Sequence, residues 1–106
     1  MLPTEIYKIK DIILNTVAVS KIYLFGSYAR GTQTPHSDYD FFVVVPNDSI
    51  RPLEVMQKIY CALAKETRFI PVDILASYEE DFERRKNIQA TIERTVKNEG
   101  VLLYEK

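Results

Sequence analysis

Two aspartates, Asp38 and Asp40, stand where a polar turn gives way to the apolar segment FFVVV. Carboxylates are seldom buried unless they are paired or bind a metal. On an extended segment, residues two apart point to the same side, with Cα atoms about 6 to 7 Å apart. Such a pair can converge on Mg²⁺, which takes few carboxylates together with water and substrate phosphates. We therefore predict a metal site here; the alternative is an acidic turn that only caps the strand.

A second chemical feature, the step from Gly26 to Ser27, follows the apolar run KIYLF. A strand that ends in glycine, with serine at the start of a helix, exposes backbone N–H groups and a positive helix end to an anion. The serine hydroxyl adds a donor, and Arg30 lies one helical turn further on. The step therefore predicts a phosphate-binding turn; a serine that merely caps a helix is the alternative.

A third carboxylate, Asp73, interrupts the apolar segment VDIL. On a strand beside that of Asp38 and Asp40, it would complete a site with two metal positions. Such metals clamp the attacking and leaving oxygens of an in-line phosphoryl transfer. The alternative is a structural ion pair with a basic neighbour, Arg30 or Arg68.

The hydrophobic pattern predicts the elements that must position these residues. In chain order they are a helix capped by Thr4 that ends near Asn15 or Thr16, a strand over 21–25, a short helix over 27–31, a strand over 39–45, a helix over 53–66 opened by Pro52, a strand over 70–76, a helical region broken near Asn87 and ended by Gly100, and an edge strand from Val101. Two local details are also predicted. Ser77 and Glu80 have the spacing of a capping box, and Tyr60 lies on the inner face of its helix.

These elements predict an α+β fold, a two-layer arrangement in which helices pack on one small β-sheet. Three good strands cannot close a barrel, and the short link between the first two permits a mixed sheet. The length of 106 residues predicts a single domain over 1–106.

Composition narrows the classes of function. The net charge is −1, with 14 basic and 15 acidic residues, whereas nucleic-acid binders usually carry a basic excess. We therefore expect no nucleic-acid partner. The N-terminus lacks the apolar region of a signal peptide, no apolar run is long enough to span a membrane, and Cys61 is the one cysteine. These features predict a cytoplasmic protein without a membrane partner.

The segment GSYARGTQTPHSDYD resembles the signature of the polymerase-β-like nucleotidyltransferase superfamily, in which ten residues separate Gly-Ser from Asp-x-Asp. Ten residues lie between Ser27 and Asp38. The form GSYARG, the small size and HSDYDFFVVV resemble the minimal nucleotidyltransferase (MNT) domains of that superfamily. The resemblance covers most of the chain, through Asp73, and implies the nucleotidyltransferase fold.

The resemblance also implies roles for the site residues. Gly26 and Ser27 would hold the β- and γ-phosphates of ATP, supported by Arg30. Asp38 and Asp40 would hold Mg²⁺, in a site that suits two metals. Asp73 would share a metal and help deprotonate an acceptor hydroxyl. Attack on the α-phosphate would then transfer AMP and release pyrophosphate.

About thirty residues follow the third strand, which is too few for a separate substrate domain. We therefore expect the acceptor surface to come from a second copy or from another protein. MNT domains often accompany an all-helical HEPN toxin, which implies an antitoxin that adenylylates its toxin on tyrosine. The alternatives are a catalytically silent antitoxin that acts by contact, and a nucleotidyltransferase for a small molecule or RNA.

Overall fold

The computed structural model describes residues 2–67 and 70–106. Within them the chain forms, in order, α1 (Thr4–Thr16), β1 (Lys21–Phe25), α2 (Ser27–Arg30), β2 (Tyr39–Val45), α3 (Pro52–Glu66), β3 (Val72–Tyr78), α4 (Glu79–Arg85), α5 (Ile92–Glu99) and β4 (Val101–Glu105). The predicted order of helices and strands is confirmed. Pro52 opens α3, as a proline at the first helical position should.

The four strands form one mixed sheet in the order β3-β2-β1-β4. β1 pairs antiparallel with both β2 and β4, whereas β2 and β3 run parallel. A parallel pair needs a crossover, and α3 supplies it between β2 and β3. The predicted fold class, a small mixed sheet with helices packed on it, is confirmed.

The main core lies on one face of the sheet, under α1 and α3. Alternate residues of β2 point into it, including Tyr39, Phe41 and Val43, which are buried with isoleucines of α1 such as Ile9. The opposite face carries a smaller aromatic and aliphatic cluster, made by Phe25, Phe42, Val44, Phe82 and Val96. We call this second face the catalytic face, because Asp40 alternates along β2 with Phe42 and Val44.

Two local predictions are wrong. Ser77 lies within β3, and its hydroxyl bonds the carbonyl of Tyr78, so it does not cap α4. The amide of Glu80 instead donates to Oδ1 of Asn47, at 2.9 Å. Thr4 is the first residue of α1 rather than its cap, since Pro3 occupies the N-cap position. Tyr60 lies at the margin of the inner face of α3: it is 41% exposed, and its hydroxyl bonds the amide of Ile74 on β3.

In the part of the chain that the model describes, every helix is too short or too polar to cross a membrane.

Candidate active site

The pairing of β2 with β3 brings two of the three predicted carboxylates together. Asp40 and Asp73 are register partners on the parallel strands, so their side chains leave the same face of the sheet side by side. Asp38 precedes β2 by one residue and is exposed, as is Asp73, whereas Asp40 is half-buried. Tyr39 points to the opposite face, as the strand alternation predicts.

Gly26 directly follows β1 and lies beside the Asp40 carboxylate. Its neighbour Phe25 is the register partner of Asp40, and a Cβ atom at Gly26 would collide with the Asp40 carboxylate. The backbone of Gly26 has φ 75° and ψ −154°, a conformation almost confined to glycine. The Gly-Ser step therefore touches the aspartate site, as the sequence predicted.

Ser27 begins the single turn of α2, directly after Gly26. The Gly26 carbonyl accepts the amides of Ala29 and Arg30, each at 3.1 Å. The amides of the first helical residues, Ser27 and Tyr28, have no acceptor within a helix turn and are directed out of its N-terminus. Such amides are suited to a phosphate group.

The carboxylates act on one another electrostatically. Burial, the like charges of Asp73 and Asp38, and a hydrogen bond with Asp73 raise the pKa of Asp40 to about 6. The positive charge of Arg30 opposes this rise in the pKa. The site therefore gathers more negative charge than its own residues neutralise, as a cation site does.

The donor set fits Mg²⁺ with a bound nucleotide rather than a cation held by protein alone. Among residues 2–67 and 70–106, no three acidic, histidine or cysteine side chains form a ready-made metal cage. Mg²⁺ needs no such cage, because it commonly takes one or two carboxylates and completes its shell with water and phosphate oxygens. The adjoining carboxylates of Asp40 and Asp73 satisfy that requirement.

The alternative for Asp73, a structural ion pair, finds no support from Arg30. The ion pairs among the described residues do not join these two side chains. The other suggested partner, Arg68, lies outside the described residues.

Two of the three carboxylates, Asp38 and Asp73, are exposed to solvent. Clefts of about 560 and 660 Å³ lie along α1, and none of the predicted site residues lines either of them. Two tyrosines beside the site have contacts that the sequence did not predict. Tyr28 stacks on Tyr39 with ring centroids 4.5 Å apart, behind the Gly-Ser turn, and the hydroxyl of Tyr60 accepts the amide of Ile74 at 2.8 Å, beside Asp73.

A family model described as a nucleotidyltransferase domain matches residues 6–103. The chain belongs to this nucleotidyltransferase family. It is 33% identical over 86 residues to MJ0604 of Methanocaldococcus jannaschii, which is named a protein adenylyltransferase; the match covers 81% of this chain and 79% of that protein. It is also 38% identical over 58 residues to the protein adenylyltransferase MntA of Shewanella oneidensis, across 53% of this chain and 42% of MntA.

Solved structures of this family share the fold. A nucleotidyltransferase from Sulfolobus solfataricus has a TM-score of 0.64 at 19% identity, and the match covers 93% of this chain and 76% of that one. A toxin–antitoxin crystallised with AMP-PNP has a TM-score of 0.60 at 26% identity, over 94% and 73%. A mutant of the toxin–antitoxin MntA-HpeT has a TM-score of 0.57 at 28% identity, over 94% and 72%.

Proposed function

We propose that this nucleotidyltransferase is Mg²⁺-dependent and moves AMP from ATP to a tyrosine hydroxyl of a HEPN-type toxin, whose antitoxin it is. One observation carries the catalytic part of the proposal. Asp40 and Asp73 are register partners on the catalytic face, and the Gly26 turn contacts Asp40 from the other side. Phosphate-binding backbone, metal-binding carboxylates and a proton acceptor are thus contiguous.

Each residue has a defined part in the reaction. The first amides of α2 and the Ser27 hydroxyl hold the β- and γ-phosphates, and Arg30 adds positive charge. Asp38 and Asp40 would hold Mg²⁺, and Asp73 would share a metal. When bound, Mg²⁺ would neutralise phosphate charge and favour the oxyanion forms of the attacking and leaving groups.

The transfer is a single displacement. The acceptor oxygen forms a bond to the α-phosphorus, and the bond from that phosphorus to the bridging oxygen breaks. Pyrophosphate leaves with the electron pair, and the hydroxyl proton passes to the Asp73 carboxylate. Positioning and charge supply most of the catalysis, as in phosphoryl transfer generally.

The relatives support the identity of the acceptor. Two of them are named protein adenylyltransferases, and the similar structures include toxin–antitoxin complexes, one with AMP-PNP. A protein acceptor also agrees with the exposure of Asp73, whose carboxylate a large substrate can reach. The helical HEPN class and the tyrosine follow from the MNT resemblance.

The decisive experiment is intact-mass spectrometry of the neighbouring gene's product after incubation with this protein, ATP and Mg²⁺. We expect the wild type to add one or more AMP units. We expect Asp40→Asn to add AMP at least 100-fold more slowly, because the variant loses a carboxylate that binds the metal. Asp48→Asn is the matched control, since Asp48 is exposed in the turn that follows the other end of β2.

The contact-only antitoxin gives a different result. In that case the wild type and Asp40→Asn would bind the partner equally tightly, and neither would change its mass. That pair of results would overturn the enzymatic proposal for this partner.

A further inference from the structure

The order of the strands gives the proposed reaction a direction across the sheet. The phosphate-binding turn follows β1, Asp40 lies on β2 and Asp73 lies on β3, the edge strand beyond it. In an in-line displacement the attacking oxygen is opposite the leaving group. Because the leaving pyrophosphate lies on the β1 side, the acceptor hydroxyl must arrive over β3.

The catalytic face of β3 carries one uncovered apolar side chain, Leu75. It lies two residues beyond Asp73, on the same face, with Cα atoms about 6 to 7 Å apart. Leu75 is 36% exposed, whereas its register partner Phe42 is 2% exposed and packs against Phe25 and Phe82. Ser77, the next residue on this face, is buried at the start of the α4 cover.

The part of the catalytic face that α4 covers therefore ends before Leu75. An isolated exposed leucine needs no explanation. This one lies on β3, two residues from the proposed proton acceptor and beside Phe42, on the strand over which the acceptor arrives. A group whose hydroxyl reaches Asp73 along this face of β3 would place its adjoining atoms beside Leu75.

We infer that Leu75 is the contact that selects the acceptor, favouring a hydroxyl carried by an aromatic ring. The inference rests on the proposed function and assigns the recognition of its tyrosine acceptor to Leu75. A tyrosine ring extends directly back from its hydroxyl and presents an apolar face to the leucine. A serine or threonine hydroxyl has no such ring, and a ribose would place polar groups there, which cost free energy against an apolar neighbour.

The test compares two small acceptors, acetyl-Ala-Tyr-Ala-amide and acetyl-Ala-Ser-Ala-amide, with ATP and Mg²⁺. AMP transfer is followed by mass spectrometry, and kcat and KM are determined for each peptide. Leu75→Gln removes the apolar contact without adding charge beside Asp73. Leu102→Gln is the matched control, because Leu102 is 45% exposed on β4, the edge strand at the other side of the sheet.

We expect wild type and Leu102→Gln to favour the tyrosine peptide equally. Leu75→Gln should reduce kcat/KM for that peptide by about five- to tenfold, mainly through KM, the size of effect that an apolar contact produces. The rate with the serine peptide should change less than twofold. Leu75→Met, which keeps an apolar chain of similar volume, should restore the preference.

Failure of the inference differs from failure of the proposed function. If Leu75→Gln slows both peptides equally, or leaves the tyrosine preference intact, Leu75 does not select the acceptor and the transferase proposal survives. If the wild type adds AMP to the neighbouring gene's product but to neither peptide, the tyrosine ring is not what selects the acceptor, and the inference alone falls. If it adds AMP to neither the peptides nor that product, the proposed function falls and the inference falls with it. Calorimetric titration with ATP, run on each variant, separates these results from misfolding.

Discussion

At the residue scale, Gly26 meets two separate constraints. Its backbone conformation, φ 75° and ψ −154°, costs a residue with a Cβ atom about 1 to 3 kcal/mol. A Cβ atom would also collide with the carboxylate of Asp40. We expect Gly26→Ala to reduce the free energy of unfolding in urea by about 2 to 4 kcal/mol. It should also weaken Mg²⁺-dependent ATP binding, because Asp40 must move.

Gly31→Ala is the matched control for this prediction. Gly31 also has φ 75°, but with ψ 20° it is in the ordinary left-handed region, and a Cβ atom there would meet nothing within 4 Å. We expect a loss of only about 1 kcal/mol and unchanged ATP binding. Equal losses from the two variants would mean that the collision with Asp40 is not a constraint.

Part of this residue-level picture could be read from the sequence. The alternation of a strand places Asp38 and Asp40 on one side and Tyr39 on the other, because the period is local. The collision between a residue at Gly26 and Asp40 could not be foreseen. It depends on the antiparallel register that pairs Phe25 with Asp40, and that register is set by contacts between distant segments.

At the scale of the elements, β3 is an edge strand whose outer side is tied to α3. The hydroxyl of Tyr60 accepts the amide of Ile74 at 2.8 Å, immediately after Asp73. We expect Tyr60→Phe to reduce the free energy of unfolding by about 1 kcal/mol, the usual loss for one hydrogen bond. The Ile74 amide should exchange faster with deuterium, because the variant leaves it without an acceptor.

Tyr7→Phe is the control, since it makes the same change in a tyrosine of similar exposure, 43% against 41%. The Tyr7 hydroxyl forms no hydrogen bond within residues 2–67 and 70–106. Stability should change by less than about 0.5 kcal/mol. If both variants behaved alike, the Tyr60 bond would contribute nothing to the strand.

The boundaries of β3 show why local sequence patterns predict the presence of a strand better than its first and last residues. The sequence predicts a strand over 70–76, whereas β3 runs from Val72 to Tyr78. Its ends follow its parallel partner, since all seven residues of β2 pair with the seven of β3. This extension takes Ser77 into the strand, and Asn47 from the turn after β2 caps α4 instead. Both β2 and Asn47 lie far from β3 in the sequence, so a local pattern cannot show where β3 ends.

At the scale of the whole molecule, the site depends on strand order more than on any single element. The Gly-Ser and Asp-x-Asp signatures lie within 15 residues, so their spacing could be recognised directly. The adjacency of Asp73 requires α3 to cross over and place β3 beside β2 in one register. The sequence predicted the carboxylate and its strand, but not the residue that it faces.

The proximity of these carboxylates makes the free energy of unfolding of the whole chain depend on pH. The pKa of Asp40 is raised from 3.8 to about 6 in the folded protein, so the folded state binds a proton more tightly than the unfolded state. This contribution to stability is complete below about pH 4 and is lost as the pH rises through about 6. With screening at a half-exposed site it amounts to about 1 kcal/mol.

We therefore expect wild type, without divalent cations, to lose stability relative to Asp40→Asn between about pH 4 and pH 7. The difference in Tm between the two proteins should change by about 4 to 8 °C across that range. Differential scanning calorimetry of both proteins in EDTA measures it. Carboxylates that do not act on Asp40, such as Glu83, titrate alike in both proteins, so they cancel in the difference.

Addition of Mg²⁺ with the ATP analogue AMP-PNP should have the opposite pH dependence. A cation binds the ionised carboxylates and competes with the proton on Asp40, so the rise in Tm should grow as the pH increases through about 6. Asp40→Asn should lose most of this rise, whereas Asp48→Asn, changed in the exposed turn after β2, should keep it. A rise in Tm that is independent of pH, or undiminished in Asp40→Asn, would place the cation elsewhere.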